Sequence, residues 1–290
     1  MSKTTPLALA ACLALGTSSG ISVAQPADAL PPAQVAVSPP RVEVDLDAGR
    51  STEAIHIINL SDNETRISVS VVHLDLDEHN KVRDLAPTEQ SLDQWIVINP
   101  LKFTIPAGEQ QTIRFAVRPR VEPEAGEHRA MIYFEQEPGS ADSDEGAVSI
   151  RYRLGVAVYG LSGHIDRRGR IVAIRHTGSG DNHYLDIDTI SEGNTSVRLT
   201  GQYGIWQATD FPGEEAAAAL LDSLPASTDI VGGVGALPEL PILPGTQRTV
   251  RIRLPELSST AAHVVYVTGE FAGRSFSKQL EIEQLEVSTQ

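Results

Sequence analysis

A period of two constrains this chain more than any other feature. From Val42 onward apolar and polar side chains alternate in short runs, and Gly, Asn, Asp or Pro break each run. The stretch "RVEVDLDAGRSTEAIHIINLSDNETRISVSVVHLDLDEHNKV" shows this plainly, with breaks at "DAGR", "LSDNE" and "DEHN". Alternation places successive side chains on opposite faces of a strand, and the breaking residues are those that turns require. "WIVINPLKFTIPAGEQQTIRFAVRP" continues with a strand, a stop at Pro100, a strand, the "PAGEQ" turn and a further strand. "GEHRAMIYFEQEP" adds another. After the acidic run "EQEPGSADSDEG" comes "AVSIRYRLGVAVYG", residues 147–160, the most regular stripe of all. Val148, Ile150, Tyr152, Leu154, Val156 and Val158 occupy every second position there, with Ser149, Arg151 and Arg153 between them. About seven strands within roughly 120 residues is the spacing of an immunoglobulin-like sandwich.

A second set follows Gly160. "GRIVAIRHTG", "NHYLDIDTISEG", "TSVRLTGQYGIW", "QRTVRIRLP", "HVVYVTGEFAG" and "SFSKQLEIEQLEV" read as strands. "GEEAAAALLDSL" reads as a short surface helix, followed by a Gly- and Pro-rich loop from Ala226 to Gly245. The fold class is therefore all-β, two tandem immunoglobulin-like β-sandwich domains over residues 35–160 and 161–288, with a hinge at Gly160 to Gly163.

The N-terminus carries a different signal. "MSKTTPLALAACLALGTSSGISVAQP" has one Lys, an apolar stretch from Pro6 to Leu15, and Ser22-Val23-Ala24 before Gln25. Residues 1–24 read as a secretory signal peptide cleaved after Ala24. The apolar run is too short to span a bilayer, so the expectation is an exported protein with no membrane span. Leu9-Ala10-Ala11-Cys12 looks like a lipoprotein box, but few residues precede Cys12 and apolar residues continue past it, which favours the plain signal. Cys12 is the only cysteine, so the mature chain has no disulfide, no thiol nucleophile and no cysteine metal site.

Charge and motifs exclude several functions. Asp and Glu number 38 against 23 Lys and Arg, a formal net charge of −15, which makes nucleic acid a poor partner. No Gly-x-Ser-x-Gly elbow is present, and the "GSG" of "HTGSGDNH" opens no helix and so cradles no phosphate. His176, His183 and Asp181 come close in sequence without matching a metal-site spacing, and the simpler expectation is a hairpin turn with two exposed histidines. No catalytic residues and no cofactor are expected.

The residues bear a family resemblance. "VAVSPPRVEVDLDAG", "HIINLSDNETRISVSV", "WIVINPLKFTIPAGEQQTIRFAVRP" and "GEHRAMIYFEQEP", followed by the 147–160 stripe, resemble in order and spacing the PapD-like periplasmic chaperones of the chaperone–usher pilus pathway. The resemblance covers roughly residues 35–160. It implies a non-enzymatic periplasmic chaperone for pilus subunits, immunoglobulin-like domains that lack their last strand. Such a chaperone lends its own seventh strand to the subunit, a form of β-augmentation, and delivers the subunit to an outer-membrane usher. On this reading the donor strand is 147–159; Val148, Ile150, Tyr152 and Leu154 face the subunit, while Val156 and Val158 stay in the chaperone's own core. An apolar strand exposed in the free state calls for cover, and self-association would supply it.

The resemblance also implies a cleft that grips the subunit's terminal carboxylate with an Arg on the first strand and a Lys on the seventh. Arg41 stands at the Arg position. Ala157 stands at the Lys position, so Arg153, on the same face four residues earlier, is the substitute anchor. Arg129, within Gly126-Glu127-His128-Arg129, looks like the divergent branch of these chaperones. The competing reading is a two-domain surface structural or adhesive protein. A pilus subunit would carry an apolar donor arm, whereas "QPADALPPAQVAVSPP" is too Pro-rich for a central strand. Aromatics at 5% give little support to a carbohydrate-binding or hydrolytic sandwich.

Overall fold

A computed structural model of the chain describes residues 34–49, 51–77, 81–137, 151–179, 182–224, 233–257 and 261–283. The signal peptide of the sequence reading, together with Val148 and Ile150, lies outside these residues.

The first sandwich is built from β1 (Val35–Ser38), β2 (Arg41–Asp45), β3 (Ser51–Asn59), β4 (Thr65–Leu76), β5 (Val82–Leu85), β6 (Ile96–Asn99), β7 (Lys102–Ile105), β8 (Gln110–Val117), β9 (Gly126–Gln136) and β10 (Arg153–Ser162). One sheet runs β1-β3-β8-β6; the other runs β2-β10-β9-β4-β5, with β7 also on β4. There are more strands than alternation alone suggests: β1 lies in the Pro-rich lead, ahead of Pro39 and Pro40, and β5 is a short strand paired with the end of β4. Pro39 and Pro40 have no N–H to continue a ladder. The chain leaves β3 after Ser38 and re-enters the opposite sheet beside β10 at Arg41. Pro100 does the same between β6, which pairs with β8, and β7, which pairs with β4.

The inward faces interlock in one core. Ile55, Ile57, Ile113, Phe115, Ile132, Phe134, Val156 and Val158 are fully buried in it, each aliphatic side chain contributing about 1.5–3 kcal/mol. Trp95 is buried beside them, and its indole N–H donates to the Glu89 carbonyl at 3.1 Å. The "LSDNE" turn is organised by buried Asn59, whose amide donates to the Asn63 carbonyl at 2.8 Å and to the Ile105 and Pro106 carbonyls at 3.0 Å.

The second sandwich pairs β11 (Gly169–Ser179), β12 (Asn182–Ser191) and β16 (Gln247–Arg253) in one sheet. The facing sheet runs β14 (Val234–Ala236), β13 (Val197–Gln207), β17 (His263–Phe271), β18 (Arg274–Ile282), with β15 (Pro241–Ile242) also on β13. Leu185, Ile187, Leu199, Tyr203, Val265 and Val267 are buried between them. The expected helix is α1, Glu214–Asp222. Ala217 and Leu221 on it pack with Tyr266, which lies between the core-facing Val265 and Val267, so α1 covers the outer face of β17. On the outer face of the β11-β12-β16 sheet Arg251 grips Asp186 through two hydrogen bonds of 2.8 Å, and Arg175 pairs with Asp188.

The expectation of two exposed histidines is corrected. The hairpin forms, with Ser179 opposite Asn182, but His183 is 5% exposed and its Nδ1 lies 2.9 Å from Nε2 of His176. His183 shares the inward face of β12 with Leu185 and Ile187, so the core side extends to the hairpin's end. Burial, with His183 alongside, pushes the His176 imidazole below its ordinary value.

Direct hydrogen bonds join the sandwiches. The buried Glu127 carboxylate on β9 accepts from the Ser196 N–H at 2.9 Å and the Ser196 hydroxyl at 2.6 Å, and from Arg129 at 3.1 Å. Its own N–H donates to the Asn194 carbonyl at 3.0 Å. Gly126, at φ +127°, lets that carbonyl approach: an added Cβ would sit 2.9 Å from the oxygen. Arg248 on β16 donates to the Asp77 carbonyl at 2.5 Å.

Candidate functional site: a strand edge and the cleft it enters

The two halves of β10 have different surroundings. Along its whole length it pairs antiparallel with β9, from Arg153 opposite Glu135 to Ser162 opposite Gly126. On its other edge it pairs parallel with β2, and only from Ala157, opposite Arg41, to Leu161, opposite Asp45. Over residues 153–156 that edge has no strand partner among the described residues. The hydrogen bonds show which main-chain groups face it. The Ala157 N–H donates to the Pro40 carbonyl at 3.1 Å and the Leu161 carbonyl accepts from Leu46 at 2.8 Å, both toward β2. The Tyr152 carbonyl accepts from the Gln136 N–H at 3.0 Å, toward β9. Main-chain direction alternates along a strand, so Arg153 and Gly155 turn their N–H and C=O outward to the open edge.

Of the four apolar residues singled out on this strand, Tyr152 and Leu154 are described, and both are half-buried. Leu154 packs against the edge of the first core, one step before fully buried Val156. Tyr152 lines a groove of about 520 Å³ with Ser68, Gln136, Glu137 and the two arginines on either side of it. Arg153 is anchored there: its Nε lies 2.6 Å from Oε1 of Glu135, its cross-strand partner, and its guanidinium sits 3.5 Å over the Tyr133 ring. With the Arg153 side chain 46% exposed, that ion pair contributes little, about 0–1 kcal/mol.

Farther along β10 the strand enters a cleft of about 500 Å³ between the sandwiches. Its first-sandwich wall is Arg41, Leu74, Leu76, Met131, Ala157 and Tyr159; Arg198, Glu239, Leu240 and Pro241 form the other. Leu74 and Met131 belong to a small apolar cluster on the outer face of the β2-β10-β9-β4 sheet, with Tyr133 and Ala157. Arg41 stands at this cleft, directly opposite Ala157 in the ladder, with Nε 3.6 Å from Glu43. Arg153 does not line it; it lies four residues, roughly 13 Å, back along the strand. The residues that line the cleft thus bring Arg41 together with a residue the sequence left unmarked, Arg198 on β13. Nothing in local sequence marks Arg198, because only the packing of one sandwich on the other brings it here. Among the described residues no group of three or more His, Asp, Glu or Cys side chains is placed to hold a metal ion. No described helix is long and apolar enough to cross a membrane.

No family model matches the chain, and no curated protein matches its sequence. Solved structures do match. The YadV chaperone is similar at 11% identity with a TM-score of 0.43, over 86% of this chain and 100% of that one. A chain of the CsuC–CsuE chaperone–tip subunit pre-assembly complex, from the archaic chaperone–usher Csu pili of Acinetobacter baumannii, is similar at 14% identity with a TM-score of 0.40, over 76% and 91%. A chain of the Salmonella enterica SafA pilin–SafB chaperone complex is similar at 14% identity with a TM-score of 0.41, over 88% and 99%. The chain's own strand pairing is that of a two-domain β-sandwich.

Proposed function

We propose that this chain is a periplasmic, non-enzymatic chaperone that binds fimbrial subunits by lending them a strand and passes them to an outer-membrane usher. The observation that carries the reading is the half-paired β10. A strand with one finished edge and, among the described residues, one open edge toward which its N–H and C=O groups turn is the structure β-augmentation needs. The sequence resemblance over residues 35–160 supplies the identity of the partner. In this reading that stretch is the strand-lending domain and 161–288 the second. Val148, Ile150, Tyr152 and Leu154 enter the subunit's groove, and Arg41 at the cleft anchors its terminal carboxylate. Residues 1–24 direct export and are removed.

The test is capture of secreted subunits by the tagged full chain, coexpressed with its neighbouring genes, beside an Ile150→Asp/Tyr152→Asp variant whose thermal unfolding matches wild type. Small secreted β-proteins held by wild type and lost from the variant are the expected result. Equal capture, or none by either, would return the apolar stripe to ordinary core and favour the surface-structural alternative.

A further inference from the structure

We propose that His176 and His183 form a two-coordinate site for a soft monovalent metal ion, of the copper(I) class, at the end of the β11–β12 hairpin. Such a site is independent of the chaperone reading.

The way the two rings meet carries the argument. Nε2 of His176 and Nδ1 of His183 lie 2.9 Å apart. The ring centres are 5.1 Å apart and the planes 25° from parallel. That separation is the nitrogen contact plus one ring radius on each side. The imidazoles therefore meet end to end, and each facing nitrogen aims at the other. One proton fits on the line between them, donated by one ring to the lone pair of its neighbour.

A metal ion on that line takes the place of the shared proton. Each neutral ring then coordinates through its facing nitrogen and carries its proton on the outer one, Nδ1 of His176 and Nε2 of His183. The displaced proton moves to the outer nitrogen of the ring that had donated it, so two neutral rings and one ion combine with no net proton released. With a metal–nitrogen distance of about 2 Å on each side, the two nitrogens must part by roughly 1 Å. Half-buried His176, near the hairpin's last pair, supplies that movement more readily than buried His183.

The surroundings select the ion. The Asp186 carboxylate favours positive charge at His176, yet it is already held by Arg251 and the Thr177 hydroxyl and lies on the other face of β12 from His183, so it adds potential without becoming a ligand. No third His, Asp, Glu or Cys is placed to join the pair among the described residues. Zinc, which takes four ligands, would need waters beside a His183 that is only 5% exposed. A closed-shell monovalent ion is satisfied by two nitrogens in line, and imidazole suits copper. Beyond Cys12 the chain has no thiolate to compete for it. Burial and the neighbouring ring hold the His176 imidazole below its ordinary value, which keeps that ligand neutral at neutral pH.

The experiment uses the purified chain without a histidine tag, in chloride-free buffer, with silver(I), anaerobically reduced copper(I) and zinc(II) as probes. Proton–nitrogen NMR spectra of the imidazoles report which nitrogens bind, and thermal unfolding reports the linkage. Silver(I) and copper(I) are each expected to bind once, with a Kd of about 1 µM or below, and to raise the melting temperature about 5 °C at a hundredfold excess over Kd. The His176 Nε2 and His183 Nδ1 signals should shift together, and zinc(II) should bind at least about tenfold more weakly. His176→Gln should weaken silver(I) binding by about tenfold or more. The wild-type nitrogen shifts identify the site even if a His183→Gln variant unfolds. Silver(I) that shifts other imidazoles instead, or binds His176→Gln as tightly as wild type, sits elsewhere and overturns the assignment. Zinc(II) binding as tight as that of silver(I) would mean that further ligands complete the site, against a two-coordinate ion. No saturable binding by silver(I) or copper(I) would leave the rings a proton-sharing pair and nothing more.

Discussion

Asp186 keeps its charge with a side chain only 1% exposed. The two hydrogen bonds from Arg251 hold its carboxyl below the usual carboxylate value; burial opposes them, and the Thr177 hydroxyl at 3.0 Å adds to them. A group whose folded value lies below its unfolded value stabilises the fold above the unfolded value, about pH 3.9. That contribution fades as pH falls through the folded value. Asp186→Asn should therefore cost about 1–3 kcal/mol at neutral pH, and denaturant titration should show the gap to wild type closing progressively as pH falls below about 3.9. His176 follows the same rule in a milder range. Its lowered value makes the neutral form the stabilising one, so the fold loses that contribution as pH drops below about 6.5. His176→Leu should flatten the decline in melting temperature between about pH 7 and pH 5.5.

At the scale of the element, β10 yields a prediction that separates backbone from side chain. Arg153→Pro removes an N–H that faces the open edge and leaves the β9 ladder intact, because the residues pairing toward β9 are Tyr152 and its alternates. The protein should fold, with unfolding free energy within about 1 kcal/mol of Arg153→Ala, yet capture subunits far less well than that control; equal capture would mean the edge is not used. Element types were largely legible in the sequence. The strand texture, the stop at Pro100 and the helix at 214–222 all follow from local spacing and turn chemistry. What Pro39, Pro40 and Pro100 do was not legible, since a proline shows where a ladder ends and not that the chain continues in the opposite sheet. The same limit hid the burial of His183, which depends on register, and the position of Arg198, which depends on how β13 reaches the cleft. Only the resemblance marks Ala157 and Arg41 in the sequence; that they lie opposite each other comes from the strand pairing.

For the whole molecule, the decisive feature is that two separate cores are joined by polar contacts. Glu127 is the centre of that join. Glu127→Ala would leave Arg129 and the Ser196 N–H without their carboxylate partner, at a cost of about 3 kcal/mol. The expected signature is more specific than lost stability: calorimetry should show one transition for wild type and two for the variant, as each core begins to melt on its own. A variant that melts lower in one transition would mean that the other contacts suffice to keep the cores cooperative.

The half-paired strand also has a mechanical meaning. A partner seated on residues 153–156 and pulled along the strand axis loads the β9–β10 ladder lengthwise, so many hydrogen bonds share the force at once. The same partner pulled sideways from the open edge strains its own few bonds one after another. The molecule is thus stiff toward traction along β10 and yielding toward peeling, and the direction of the pull, as much as the strength of the grip, governs which partner lets go.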